Sequence, residues 1–219
     1  MKAGTFYAVS VGPGDPELLT LKAIKTIERC PVIAYPVTQS GQSLARDIVA
    51  QALDLSNKRE MPLSFAMGRE ADYESAALQI EGCLREGDDV ALLNLGDVSL
   101  YATGVRILRI LKSHGWETRV IPGVPSFCAT AARLGVALAE GDAPLHLVPN
   151  ADAAALNLPG TKVFMKSGKR LPELIRAVEA SGKSGMAVKN CGLPQEEIYS
   201  DLSHVSPDAG YFVTLILKE

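Results

Sequence analysis

The chain has 219 residues, a formal charge of −3, 47% hydrophobic and 21% charged residues, and only 5% aromatics. This is globular composition and excludes a disordered or fibrous chain. The charge is shared without a basic half, so the electrostatic footprint of a general nucleic-acid binder is missing. No stretch of about 18 consecutive apolar residues occurs, and the apolar part of the N-terminus is too short for a secretory signal. The expectations are therefore a cytoplasmic protein with no nucleic-acid or membrane partner.

Abundant Val, Leu, Ile and Ala with few aromatics suits parallel strands buried between helices. Cys30, Cys83, Cys128 and Cys191 form no C-x-x-C pair and read as buried, reduced thiols rather than a disulfide or zinc framework. No metal site is expected, because His114, His146 and His204 are scattered and none has a partner four residues on.

In chain order, 5–11 is a β-branched and aromatic run ending in the turn Gly12-Pro13-Gly14. Asp15 as N-cap, Pro16 at the first helical position and Glu17 then predict a helix start. Leu18, Leu21, Ile24 and Ile27 supply its apolar period and Pro31 ends it. A strand at 32–35 precedes a helix marked by Leu44, Ile48 and Ala52. A short strand at 59–63 precedes a helix carrying Ala76, Ile80 and Leu84, closed by Gly87. The almost wholly apolar segment 90–95 predicts a central, fully buried strand. A helix with Val105, Leu108 and Leu111 and a strand at 118–121 complete an alternation of five strands with four helices. That rhythm predicts a parallel, doubly wound sheet.

After Pro122 the rhythm changes. A helix at 126–134 leads to a looser stretch with a strand near 145–148, then a strand at 162–165 and a helix at 172–180. Strands at 186–189, 197–200 and 211–217 carry little helix between them, which predicts antiparallel pairing in a second, mixed sheet. The fold class is therefore α/β with two α/β domains, 1–121 and 122–219.

The first glycine turn stands where a dinucleotide fold places its phosphate loop. G-x-G-x-x-G would require Gly at 17, Pro13 removes a donor, and the second strand ends without an acid for a ribose. A nicotinamide-linked oxidoreductase is disfavoured for these reasons. Ser167-Gly168-Lys169 lacks the first Gly and the final Ser or Thr of a P-loop. Gly96-Asp97-Val98-Ser99-Leu100-Tyr101 follows the most buried strand, at the carboxyl end where open α/β sheets bind ligands. Its Asp is suited to accept hydrogen bonds from a ligand or to cap the next helix. Pro122-Gly123-Val124-Pro125-Ser126 follows a second strand end and opens a helix.

The segments 11–23, 96–101, 122–126, 163–166 and 189–198, in this order and spacing, resemble the tetrapyrrole methylase family of S-adenosylmethionine (SAM) dependent enzymes. The resemblance implies two α/β domains with a cofactor cleft between them, a tetrapyrrole substrate and a homodimer. It implies methyl transfer from SAM, leaving S-adenosylhomocysteine, to the C-20 meso carbon of precorrin-2 or cobalt-precorrin-2. Methylation elsewhere on the macrocycle, such as C-2 and C-7 of uroporphyrinogen III, is the alternative, and a SAM-binding module without turnover is a further one.

Carried over by motif, Pro13 of the first loop, then Leu95, Gly96, Asp97 and Leu100, then Pro125 and Ser126, and finally Met165 and Cys191 are cofactor contacts. Tyr101, Ala102 and Thr103 are further contacts just beyond the Gly-Asp pair. Asp97 is the candidate catalytic residue, anchoring the cofactor and assisting proton removal. Val98 replaces a common Pro of the motif, and Pro125 stands where the family often has Ser or Thr, which puts a side-chain hydrogen bond there in doubt. The octacarboxylate substrate calls for cations, and Lys162, Lys166, Lys169 and Arg170 concentrate four in nine residues beside Met165. Lys166 and Arg170, with Tyr35 as part of a trough wall, are the substrate candidates.

Overall fold

The computed structural model describes residues 3–65, 69–206 and 209–218. It divides into two compact units, Met1–Pro125 and Ser126–Glu219. The division follows Pro125 rather than Ile121. The intervening turn stays with the first unit, where Thr20 Oγ1 donates to Pro122 O at 3.3 Å and Gly123 N–H donates to Asp97 Oδ2 at 2.8 Å.

In the first unit, β1 (Phe6–Ser10), β2 (Val32–Val37), β3 (Arg59–Ser64), β4 (Val90–Asn94) and β5 (Thr118–Ile121) form an all-parallel sheet in the order β3-β2-β4-β1-β5. β4 is the central strand, as its unbroken apolar run requires, and every residue of it is buried. Helices α1 (Leu21–Arg29) and α2 (Leu44–Ala52) cover one face through Ala23, Ile27, Ile48 and Val49 against Tyr7, Val9, Ile33 and Leu93. Helices α3 (Glu70–Glu86) and α4 (Thr103–Ser113) cover the other through Ala77, Ile80, Leu84, Ile107 and Leu111 against Phe6, Ala8, Val32 and Leu92. Alternate residues of β1 and β4 thus enter opposite cores, each buried Leu or Ile contributing about 1.5–3 kcal/mol.

One expected helix is split. Asp15 caps only a short 3-10 turn, Pro16–Leu18, accepting from Glu17 N–H at 2.9 Å. Leu19 is extended and buried, and the chain restarts as α1 with Thr20 as N-cap, its Oγ1 accepting from Ala23 N–H at 3.1 Å. The break lets Leu19 reach the core while Leu21 turns outward, 74% exposed. α3 ends as expected, on Gly87 at φ 95°, a left-handed cap.

The second unit opens with α5 (Ser126–Leu134) and carries the sheet β6-β7-β10-β8-β9, built from β6 (Leu145–Pro149), β7 (Thr161–Met165), β8 (Met186–Lys189), β9 (Glu197–Tyr199) and β10 (Val213–Leu217). β6 and β7 are parallel and every other pair is antiparallel, so the sheet is mixed. β10, the last strand in sequence, inserts between β7 and β8. Helix α6 (Leu171–Ala180) packs Leu174 and Val178 over Phe164, Ala187 and Leu215, while α5 lies against β8 and β10.

All four cysteines are free, but Cys128 is exposed, against the expectation that all were buried. On α5 it lies between buried Phe127 and Ala129 but is itself exposed.

An ion pair ties β2, β3 and α2 together. Arg46 Nε and Nη2 donate to Glu60 Oε2 and Oε1 at 2.7 and 2.8 Å, and Tyr35 Oη donates to Glu60 Oε2 at 2.6 Å. The Arg46 hydrogen bonds pull the Glu60 carboxyl down to about 2 against partial burial, with the Tyr35 hydroxyl adding to them. A carboxyl lowered in the folded state stabilises above its ordinary pKa, and that stabilisation drains away as pH falls through the native value. Arg46→Ala should therefore cost about 1 kcal/mol at pH 7, the pair being partly exposed. Chemical denaturation from pH 7 to pH 2 should show the gap between parent and variant closing over the acid end of the range.

Candidate active site

The strand order sets the location. From the adjacent pair β1 and β4, the chain leaves β1 toward β2 and β3 on one side and leaves β4 toward β5 on the other. Loops diverging from such a switch point open a crevice at the carboxyl ends of the strands. The loops here are Val11–Asp15 after β1 and Leu95–Ala102 after β4.

Their backbones are joined directly. Gly12 N–H donates to Gly96 O at 3.2 Å and Gly96 N–H donates to Gly12 O at 2.7 Å, an isolated antiparallel bridge. Both glycines are left-handed, at φ 77° and 70°, where a side chain would be strained. The bridge seats buried Pro13 beside the Leu95–Asp97 turn. Around it, Ser10 Oγ accepts from Val98 N–H at 2.9 Å, and Asp97 binds three donors: Gly123 N–H at 2.8 Å, Ser99 N–H at 2.8 Å and the Ser99 hydroxyl. Burial pushes the Asp97 carboxyl up, but the hydrogen bonds from Gly123 and Ser99 outweigh it and leave the group below its ordinary value. It stays ionised at neutral pH and is a weak base.

Asn94, the buried last residue of β4, holds the next helix. Its Oδ1 accepts from Gly104 N–H at 3.0 Å at the start of α4, and its Nδ2 donates to Leu92 O at 2.8 Å. The intervening Leu100, Ala102 and Thr103 are half-buried, and exposed Tyr101 takes a positive φ of 55°, strain of the kind concentrated at ligand sites.

In the second unit β6, β7 and β8 run the same way, β10 antiparallel between the last two, so their carboxyl ends share one edge. Half-buried Met165 ends β7 and is followed by Lys166 at φ 55°; buried Cys191 follows Asn190 at φ 52° after β8. Arg170 reaches the same edge, Nη1 donating to Asn150 O at 3.2 Å. The buried Ser167 hydroxyl beside Lys166 has no hydrogen-bond partner among the described residues. Burial holds the Lys166 ammonium below its ordinary range and pushes the Cys191 thiol up. Ser126 is the first residue of α5.

The family model of the tetrapyrrole (corrin/porphyrin) methylases matches residues 5–205. The chain belongs to this family. It is 30% identical to a precorrin-2 C(20)-methyltransferase of Sinorhizobium over 98% of this chain and 94% of that protein. It is 28% identical to the cobalt-precorrin-2 C(20)-methyltransferase of Salmonella typhimurium over 99% and 97%. A probable cobalt-precorrin-2 C(20)-methyltransferase of Methanocaldococcus jannaschii is 34% identical over 65% of this chain, a match spanning 63% of that protein. Among solved structures, a uroporphyrin-III C-methyltransferase of Thermus thermophilus complexed with S-adenosylhomocysteine superposes with a TM-score of 0.72 at 24% identity, covering 99% of this chain and 98% of that one.

The cofactor nominees of the first unit fall on its switch-point loops. Gly96 is buried, but a Cβ built on it would meet nothing within 4 Å, so there is open space beside this turn. Pro13, Leu95, Gly96 and Asp97 are gathered there by the Gly12–Gly96 bridge. Pro125 ends the Gly123 turn that Asp97 holds.

One substrate nominee is altered by the structure. Tyr35 is only 7% exposed and its hydroxyl is engaged by Glu60, so it is part of the β2–β3 edge rather than an open wall. Lys162, one of the four clustered cations, lies on its predicted strand and is 1% exposed. Ser10 and Asn94, which hold the loops, were not singled out from sequence. The available signal was a polar residue closing each of the two most apolar strands, where an unpaired polar group would be costly.

Gly123 is a tight point, since a Cβ there would lie 2.5 Å from Ser10 Cβ and 3.0 Å from Gly96 O. Gly123→Ala should cost about 1–3 kcal/mol in stability and weaken SAM binding, measured by denaturation and calorimetry. Gly182→Ala would be strained by φ 68° alone, so a loss of SAM affinity confined to Gly123→Ala is the expected contrast.

Proposed function

We propose that this tetrapyrrole methylase transfers a methyl group from SAM to the C-20 meso carbon of precorrin-2 or cobalt-precorrin-2, releasing S-adenosylhomocysteine and the proton of that carbon. The observation that carries this reading is the likeness, nearly end to end, to the Sinorhizobium and Salmonella proteins of that name.

SAM, when bound, supplies a methyl already activated by its sulfonium, so the chain has chiefly to bind, orient and exclude water. In the first unit that falls to Pro13, Leu95, Gly96 and Leu100, with Tyr101, Ala102, Thr103 and Pro125 beyond them. In the second it falls to Ser126, Met165 and Cys191. Asp97 anchors the cofactor loops by orienting the Gly123 and Ser99 backbones, and its low proton affinity favours that role over removal of the C-20 proton. Lys166 and Arg170 are the cations for substrate carboxylates, and the working form is a homodimer, which a solution mass tests.

The reaction is tested by incubating the purified protein with methyl-labelled SAM and precorrin-2, with and without cobalt, and locating the label by NMR. Label at C-20 is expected; label at C-2 or C-7 of uroporphyrinogen III, supplied in parallel, would replace this reading by the other. Asp97→Ala should weaken SAM binding by about tenfold or more, as expected for loss of charge-assisted bonds, with Asp97→Asn intermediate and the pH dependence of kcat unchanged. Parent-like SAM affinity and turnover in Asp97→Ala would remove Asp97 from the site.

A further inference from the structure

A second concavity lies in the first unit, along α1 and the open side of the edge strand β5, with a volume of about 630 Å³. That is within the range of small-ligand sites. Lys22, Lys25 and Arg29 recur on one stripe of α1, and Arg119 faces them from β5. No acidic residue is among the described residues that line the groove, although the chain as a whole is acidic and Glu117 and Asp89 act on Arg119 from outside the lining.

The four cations are not equivalent. Arg119 is shared with Glu117, at 2.8 Å. Arg29 lies over the Tyr7 ring, its guanidinium carbon 4.4 Å from the centroid, which helps to fix it in place. Lys22 and Lys25 have no ion-pair or hydrogen-bond partner among the described residues. The rim is apolar, formed by Leu21 at 74% and Val120 at 47% exposure. A second copy of the chain centred here in a two-fold contact would bring like charges face to face.

We propose that this groove binds a small amphiphilic polyanion, an apolar or aromatic body carrying at least two carboxylate or phosphate groups. The anionic groups are held by Lys22, Lys25 and Arg29 and the body rests on Leu21 and Val120. The site is separate from the switch-point loops, and its occupancy does not depend on the methyl-transfer reading.

Calorimetric titration with two probes tests this: mellitate, an aromatic polycarboxylate, and ATP, an aromatic polyphosphate. At least one should bind with one site per chain, and the stronger of the two identifies the anionic group preferred. Lys22→Glu/Lys25→Glu should weaken that binding by about tenfold or more, with unchanged circular dichroism and methyl transfer. The neutral pair Lys22→Gln/Lys25→Gln should fall between. The distant reversal Lys112→Glu/Lys183→Glu should leave binding unaltered. The proposal fails if neither probe binds, if the Lys22/Lys25 reversal leaves affinity unchanged, or if the distant reversal weakens it equally through net charge alone.

Discussion

Two backbone hydrogen bonds between Gly12 and Gly96 close the loops that follow β1 and β4, and the first unit's site is organised around them. Parallel neighbours have no hairpin to join them, so their outgoing segments diverge and leave amides and carbonyls to be satisfied at the most buried end of the sheet. The reciprocal bridge pairs those groups and brings the two chains to one line, at the cost of a left-handed backbone on both sides that only glycine adopts without strain. Asp97 extends the arrangement to β5 by accepting from Gly123, and Ser10 ties it back to β1 by accepting from Val98. Three strand ends become one platform, and the open space beside Gly96 is its consequence.

The two faces of the first sheet explain why that platform is stiff. β1 and β4 are central and buried on both sides, alternate residues feeding separate cores under α1 and α2 and under α3 and α4. A loop anchored to such strands has little freedom, which suits it to hold a ligand in a fixed geometry. Strain accumulates at the same ends: Tyr101 in the first unit, and Lys166 and Asn190 at the shared edge of β7 and β8 in the second, all take positive φ without being glycine. Packing of the strands behind them maintains conformations that isolated peptides would abandon.

Much of the fold was legible because its signals are local. The alternation of five strands with four helices, the apolar run of β4, the Gly87 cap and the antiparallel strands of the second sheet all follow from period and turn chemistry. Failures occurred where two local signals competed. Asp15-Pro16 starts a helical turn, but Thr20 is a second N-cap four residues from Ile24, and burial of Leu19 decided for the break. The Tyr35 reading differs because its residue type does not report burial: a tyrosine hydroxyl takes whichever partner the fold supplies.

The sequence by itself determined the family, the class of chemistry and the motif residues, since glycines, an acid and prolines at strand ends are constraints written residue by residue. The tertiary structure decided how they cooperate. Strand order is not encoded in any one segment, so the switch point between β1 and β4, and with it the meeting of Gly12 and Gly96 from opposite ends of the unit, appears only when the sheet assembles. The same holds for Asp97, whose partner Gly123 lies 26 residues away, and for the cationic groove, where a stripe on α1 acquires a facing Arg119 only because β5 joins the sheet beside β1. Local chemistry selects the residues; burial and long-range hydrogen bonding decide which of them meet.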